Sequence, residues 1–110
     1  MKKGVIRGIT TLFAIILTAK LGRITYDGHQ ETWYNLPMSN VIERSDEAIG
    51  LSDMYWVRDD GVKMYGQWVI CAAHPSKIRY SRIQTSLGEG IILDTHECSD
   101  TELIDIATEW

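Results

Sequence analysis

Short runs of apolar residues, separated by turn residues, predict β-strands over most of the chain after residue 24. They lie in RITYDGHQETWYNLPM, MYWVRDDGVKMYG, QWVICAA, SRIQTS, GIILDT and ELIDIAT. Turn signals divide the first two segments at Asp27-Gly28 and at Asp59-Asp60-Gly61. Strands this short and this closely spaced favour a mainly β domain, which we expect to be a small barrel of six strands.

One segment, SNVIERSDEAIG, has the pattern of a short helix instead. Asn40 and Glu43 have the spacing of a capping box, and Gly50 follows the last apolar residue of the segment. We therefore expect one helix, capped by Asn40 and ended by Gly50.

The N-terminal segment differs in composition from the rest of the chain. Three basic residues among the first seven precede an uncharged, mostly apolar stretch from Gly8 to Ala19. This order is typical of a secretory signal, and the stretch is shorter than the roughly 20 residues of a membrane span. Leu17 leaves the usual cleavage pattern half satisfied, so an uncleaved anchor and a buried helix remain alternatives. We expect residues 1–23 to be a signal peptide or membrane anchor, and residues 24–110 to be one secreted or cell-surface domain.

Charge and cysteine content narrow the function classes. The chain has 11 Lys and Arg against 15 Asp and Glu, and no segment carries a basic stripe, which argues against nucleic-acid binding.

In an exported protein Cys71 and Cys98 could form a disulfide, or they could remain separate buried thiols. With His74 and His96 they could also form a zinc set, but strand alternation sends Cys71 and His74 to opposite faces. We expect no metal, no other cofactor and a monomer.

Two aspartates interrupt apolar strand patterns near the end of the chain. Asp94 follows Ile91 to Leu93, and Asp105 lies between Ile104 and Ile106. Both could face water on half-exposed strands. Alternatively, they could lie in a cleft whose apolar walls raise the pKa of one carboxyl enough for it to act as an acid.

The order of these C-terminal motifs resembles the three-aspartate ("3D") domain. The matching segments are AAHPSKI, RIQT, GIILDTH and LIDIAT, and Asp94 and Asp105 have the spacing of the last two family aspartates. Upstream, ETWYNLPM and YWVRDDGVKMYGQWVICAA resemble a leader found in one branch of the family. That domain is a double-psi β-barrel of secreted cell-wall proteins from Gram-positive bacteria and their phages. It is related to the catalytic barrel of membrane-bound lytic transglycosylases.

The resemblance implies a six-stranded double-psi β-barrel with lytic transglycosylase-like cleavage of peptidoglycan. Asp105 takes the place of the catalytic acid/base, and Asp94 takes the place of the second aspartate. His74 stands where the first family aspartate lies, and His96 replaces a glycine of an Asp-Thr-Gly-Gly motif. One carboxyl suffices for this reaction, whereas an ordinary glycoside hydrolase uses two carboxyls at a set separation.

Aromatic residues could bind the substrate beside these acids. Trp33 and Tyr34 precede a Pro turn and could form an exposed platform for sugar rings, although packing in a small core is the alternative. With His74 and His96 they complete the predicted substrate-binding set. The expected partner is peptidoglycan or a related wall polysaccharide, with membrane contact only through residues 1–23 if they stay attached. A non-catalytic wall-binding module of expansin-like type and a degenerate phage or structural protein on the same barrel remain alternatives.

Overall fold

The computed structural model describes residues 22–110, which form a mainly β fold with one helix, α1, at Ser39–Ile49. Its eight strands are β1 Ile24–Tyr26, β2 His29–Tyr34, β3 Tyr55–Val57, β4 Lys63–Tyr65, β5 Trp68–Ala73, β6 Arg82–Thr85, β7 Gly88–Thr95 and β8 Ile104–Ala107. The prediction of six strands is therefore wrong. β1, β3 and β4 have only three residues each, and pairing with a neighbour makes each of them a separate strand.

Most of the predicted signal or anchor segment, residues 1–21, lies outside the described residues. Between residues 22 and 110, no helix has the length and apolar character needed to cross a membrane.

Helix α1 begins earlier than its capping signal indicates. Its N-cap is Met38, which makes no side-chain capping bond, and Asn40 lies inside the helix. The predicted Asn40 cap is wrong because the Ile42 amide already donates to the Met38 carbonyl at 2.8 Å, while the Met38 side chain is buried in the core. The predicted end is confirmed: Gly50 has the left-handed conformation (φ 80°), and its N–H donates to the Asp46 carbonyl.

Strand β5 is the centre of the sheet. One of its edges is shared by two antiparallel strands, β4 along its first residues and β8 along its last. The other edge pairs in parallel with β7, which continues into the β6–β7 hairpin. Beyond β8, the sheet continues through the parallel strand β2 to β1. Among the described strands no ladder joins β6 to β1 or β2, so the sheet is open.

Apolar side chains pack in two clusters. The first core contains Val62, Met64, Val69, Cys71, Ala73, Leu87, Ile92, Ile104 and Ile106. The second core contains Met38, Val41, Tyr65, Ile70, Ile91, Leu93 and Ala107, so α1 contributes to it. Consecutive residues of β5 and of β8 alternate between the two clusters, because neighbouring side chains of a strand project to opposite faces.

A buried carboxylate connects β2 to the β6–β7 turn. Glu31 has no exposed surface, and its carboxylate accepts hydrogen bonds from the Ser86 amide (3.1 Å) and the Ser86 hydroxyl. The His29 ring lies 2.8 Å away, at Nε2, and is also buried. Such a group must be fully paired, because an unpaired buried charge is strongly destabilising. This polar cluster therefore links two parts of the sheet that no ladder joins.

Candidate functional site

The structure brings the two predicted catalytic residues to the same place in the sheet. Ala72 on β5 pairs in register with Asp94 on β7 and with Asp105 on β8. Residues in register on neighbouring strands project to the same face, so both carboxylates lie on one face, one strand to either side of Ala72. Two strand spacings of about 4.8 Å place their Cα atoms roughly 10 Å apart. Because the side chain of Ala72 is a methyl group, no long side chain of β5 separates the two acids.

A β-bulge in β7 sets the position of Asp94. Cys71 pairs with Ile92, whereas the next residue, Ala72, pairs with Asp94, so Leu93 is an extra residue in the ladder. In a regular ladder Leu93 would face Ala72, and Asp94 would project to the other side of the sheet. Bulges often redirect side chains next to functional sites. This bulge places Asp94 on the face that carries Asp105.

Asp105 is half-buried and hydrogen-bonded from the neighbouring parallel strand. Its register partner on β2 is Thr32, whose hydroxyl donates to the Asp105 carboxylate at 2.9 Å. Burial raises the pKa of Asp105 above its ordinary value, and the Thr32 hydrogen bond and the nearby His96 lower it by less. A carboxyl in this state keeps its proton to a higher pH than a free aspartate, which suits a general acid.

Asp94 has a more polar environment than Asp105. Its side chain is 28% exposed, and its Oδ1 accepts a hydrogen bond from the Thr95 amide at 2.9 Å. The guanidinium of Arg44, on α1, lies 3.7 Å from the same oxygen. The two acids therefore differ in environment: Asp105 is the more buried and has a raised pKa, whereas Asp94 is hydrogen-bonded to the backbone and lies near a cation.

The predicted substrate-binding histidines lie together at the end of β5 and β7. The rings of His74 and His96 are 6.3 Å apart in an edge-to-face arrangement. His96 Nε2 lies 2.7 Å from the Leu103 carbonyl oxygen, and the Cys98 amide donates to His96 Nδ1 at 3.1 Å. His96 thus holds the loop that connects β7 to β8.

The predicted aromatic platform does not form, because Trp33 and Tyr34 are neighbours on β2 and project to opposite faces. Both side chains are half-buried. Trp33 packs against the first core, with its ring 5.9 Å from that of Trp110. Tyr34 packs against the second core, on the face of Asp94 and Asp105. Tyr34 is therefore placed near the candidate site, and Trp33 is not.

The two cysteines are free thiols, so the considered disulfide is not formed. Cys71 is buried in the first core, where burial raises its thiol pKa, and such a thiol is unreactive. Within residues 22–110, no group of three or more His, Cys, Asp or Glu side chains is arranged to hold a metal ion.

Sequence reasoning missed two residues that contact the candidate acids, Thr32 and Arg44. Thr32 alternates with Trp33 on a strand, which places it with Tyr34 on one face, but only the parallel pairing of β2 with β8 brings it to Asp105. Arg44 had no distinguishing signal in the sequence, because a charged residue on a helix usually faces water.

Comparison of the chain with protein families, with curated proteins and with solved structures finds no match. Conclusions about function therefore depend on the residues of the site.

Proposed function

We propose that this protein cleaves the glycan strands of peptidoglycan by a lytic transglycosylase-like mechanism. The observation that carries the proposal is the shared pairing of Asp94 and Asp105 with Ala72, which puts two carboxyls of different environment on one face. This cleavage would take place outside the cytoplasm, where wall polysaccharide is found.

In this mechanism Asp105 acts first as an acid and then as a base. The protonated carboxyl transfers its proton to the glycosidic oxygen, and the bond from this oxygen to the anomeric carbon breaks. The resulting Asp105 carboxylate then takes the proton of the sugar's own 6-hydroxyl, whose oxygen bonds to the anomeric carbon to form a 1,6-anhydro ring. No water is consumed, and Asp105 ends protonated. The negative charge of Asp94 would stabilise the positive charge that develops on the sugar.

The strand pairing supports a double-psi type of barrel. Parallel pairs join distant parts of the chain, β2 with β8 and β5 with β7, around the antiparallel pair β5–β8. The contact of Glu31 with Ser86 spans the gap between β2 and the β6–β7 turn, where no ladder closes the sheet. Closure through side chains at this gap would give the barrel that the sequence resemblance implies.

The test is product release from purified peptidoglycan by wild-type protein and by Asp105→Asn. We expect wild type to release 1,6-anhydro sugars and Asp105→Asn to lose at least about a hundredfold in rate, because general acid–base catalysis contributes this much. Asp59→Asn, in the exposed β3–β4 turn, is the matched control and should keep full activity. Equal release by Asp105→Asn and wild type, with both folded, would refute the mechanism.

A non-catalytic wall-binding module is the second candidate, and the β7–β8 loop favours it. His96 holds this loop through the Leu103 carbonyl, and Arg44 lies against Asp94 at 3.7 Å, so both flank the acids with side chains. The implied family motif has glycine at the position of His96, where a backbone can approach a ligand closely. A binding module would sediment with wall sacculi without releasing anhydro sugars.

A further inference from the structure

The hydroxyl of Tyr34 is a buried hydrogen-bonding group that has no partner among residues 22–110. Its oxygen is inaccessible to solvent and makes no hydrogen bond with any described residue. Buried polar groups are normally paired, since an unpaired one keeps the full cost of leaving water. An exception next to candidate catalytic groups calls for an explanation.

Strand register places this side chain on the same face of the sheet as the two acids. Tyr34 follows Thr32 by two residues on β2, so both project to the same face, and Thr32 pairs with Asp105. Burial, and then the charges of Asp94 and Asp105, raise the pKa of Tyr34 well above its ordinary value. The phenol is therefore close enough for the charges of both acids to affect its pKa, and it keeps its proton throughout the physiological pH range.

The phenol donates to neither carboxylate. The Asp105 carboxylate accepts from the Thr32 hydroxyl, and Asp94 accepts from the Thr95 amide. The proton of Tyr34 is thus unused in the ligand-free protein, although two strong acceptors lie on the same face. A neutral donor held in this way can bind an oxygen atom that enters between the acids.

We infer that the Tyr34 hydroxyl is a ligand-binding group, which donates a hydrogen bond to a neutral oxygen of a sugar bound at the half-buried carboxyls of Asp94 and Asp105. A hydroxyl or acetamido oxygen suits the site, because an anionic group would be repelled by Asp94 and Asp105. Since the phenol oxygen is buried, the side chains that cover it must move as the sugar enters. The inference rests on the proposed glycan substrate, and it replaces the stacking role that the sequence pattern predicted for Tyr34.

The experiment measures both folding and glycan binding for Tyr34→Phe, which removes only the hydroxyl. We expect its urea unfolding midpoint to rise, because an unpaired polar atom leaves the interior. We expect its binding to wall sacculi, and its release of anhydro sugars, to fall by about three- to tenfold, which is the worth of one neutral hydrogen bond. A purely structural hydroxyl would not produce these opposite changes.

Tyr65→Phe is the matched control, because Tyr65 is also buried in the second core but its hydroxyl donates to Asp46 at 2.6 Å. It should lower the unfolding midpoint and leave sacculus binding unchanged. If wild type cleaves the wall and Tyr34→Phe binds and cleaves as well as wild type, the inference is overturned and the proposed function stands. If wild type binds without cleaving and Tyr34→Phe binds equally well, both are overturned. If wild type binds without cleaving and Tyr34→Phe binds more weakly, the inference holds and the cleavage proposal fails. If wild type neither binds nor cleaves, both are overturned.

Discussion

Removal of the Glu31 carboxylate should destabilise the fold more than any exposed substitution. Glu31 is fully buried, and Glu31→Ala leaves three donors without their acceptor: the Ser86 amide, the Ser86 hydroxyl and the His29 ring. It also separates β2 from the β6–β7 turn, which no ladder joins.

The expected loss follows from these contacts. Each buried donor left without a partner costs about 1–3 kcal/mol. Because the three donors share two residues and can relax together, we expect a total near 4 kcal/mol. A domain of this size has a free energy of unfolding of about 5–15 kcal/mol. Glu31→Ala should therefore remove a large part of the stability, and Glu31→Gln should cost about 1–2 kcal/mol, because its amide oxygen still accepts from Ser86.

Urea unfolding monitored by tryptophan fluorescence would measure the free energy of unfolding for each variant. The matched control is Glu47→Ala, on the exposed side of α1, where we expect a change within about 0.5 kcal/mol. If Glu31→Ala costs no more than this control, the cluster is not the structural link described here. If Glu31→Gln costs as much as Glu31→Ala, the charge matters more than the hydrogen bonds.

Two further predictions concern the acid and the bulged ladder. Thr32→Val removes the hydroxyl that lowers the pKa of Asp105, so this pKa should rise further and the protonated acid should persist to higher pH. In a pH profile of sugar release, the fall in rate on the alkaline side should therefore move to higher pH. A lower rate with no such move, or an equal move in the exposed control Thr101→Val, would contradict this. Gly90→Ala would place a Cβ 2.6 Å from the Cys71 Sγ, so we expect the free energy of unfolding in urea to fall by about 1–3 kcal/mol. Adding Cys71→Ala should recover part of this loss. If Gly90→Ala leaves the free energy of unfolding unchanged, this part of β7 shifts freely.

Local patterns were sufficient for several elements of the fold. The run QWVICAA predicts a buried strand and forms β5, and the turn signal at Asp59 to Gly61 lies between β3 and β4 as predicted. Gly50 ends α1 because a left-handed residue is needed there. These features depend on neighbours in the chain. The helix start was missed because the burial of Met38, a tertiary contact, overrides the Asn40 cap.

The relation between the two acids could not be obtained from spacing alone. The interval between Asp94 and Asp105 does not reveal that both pair with Ala72, because that depends on a third strand and on its register with each neighbour. The alternation in HQETWY likewise could not show that Glu31 is buried, since polar residues in a strand usually face water. Its partner Ser86 lies 55 positions away in the chain.

The extra residue in β7 has an evolutionary consequence. The position of Asp94 depends on how many residues β7 contains as well as on which residues they are, because the bulge at Leu93 shifts the pairing by one. Loss of a single codon in this strand would turn the carboxylate to the other face while both aspartates remained in the sequence. A related chain could therefore keep every acidic residue of the motif and still lack the paired acids, so insertions and deletions in β7 are as informative as substitutions.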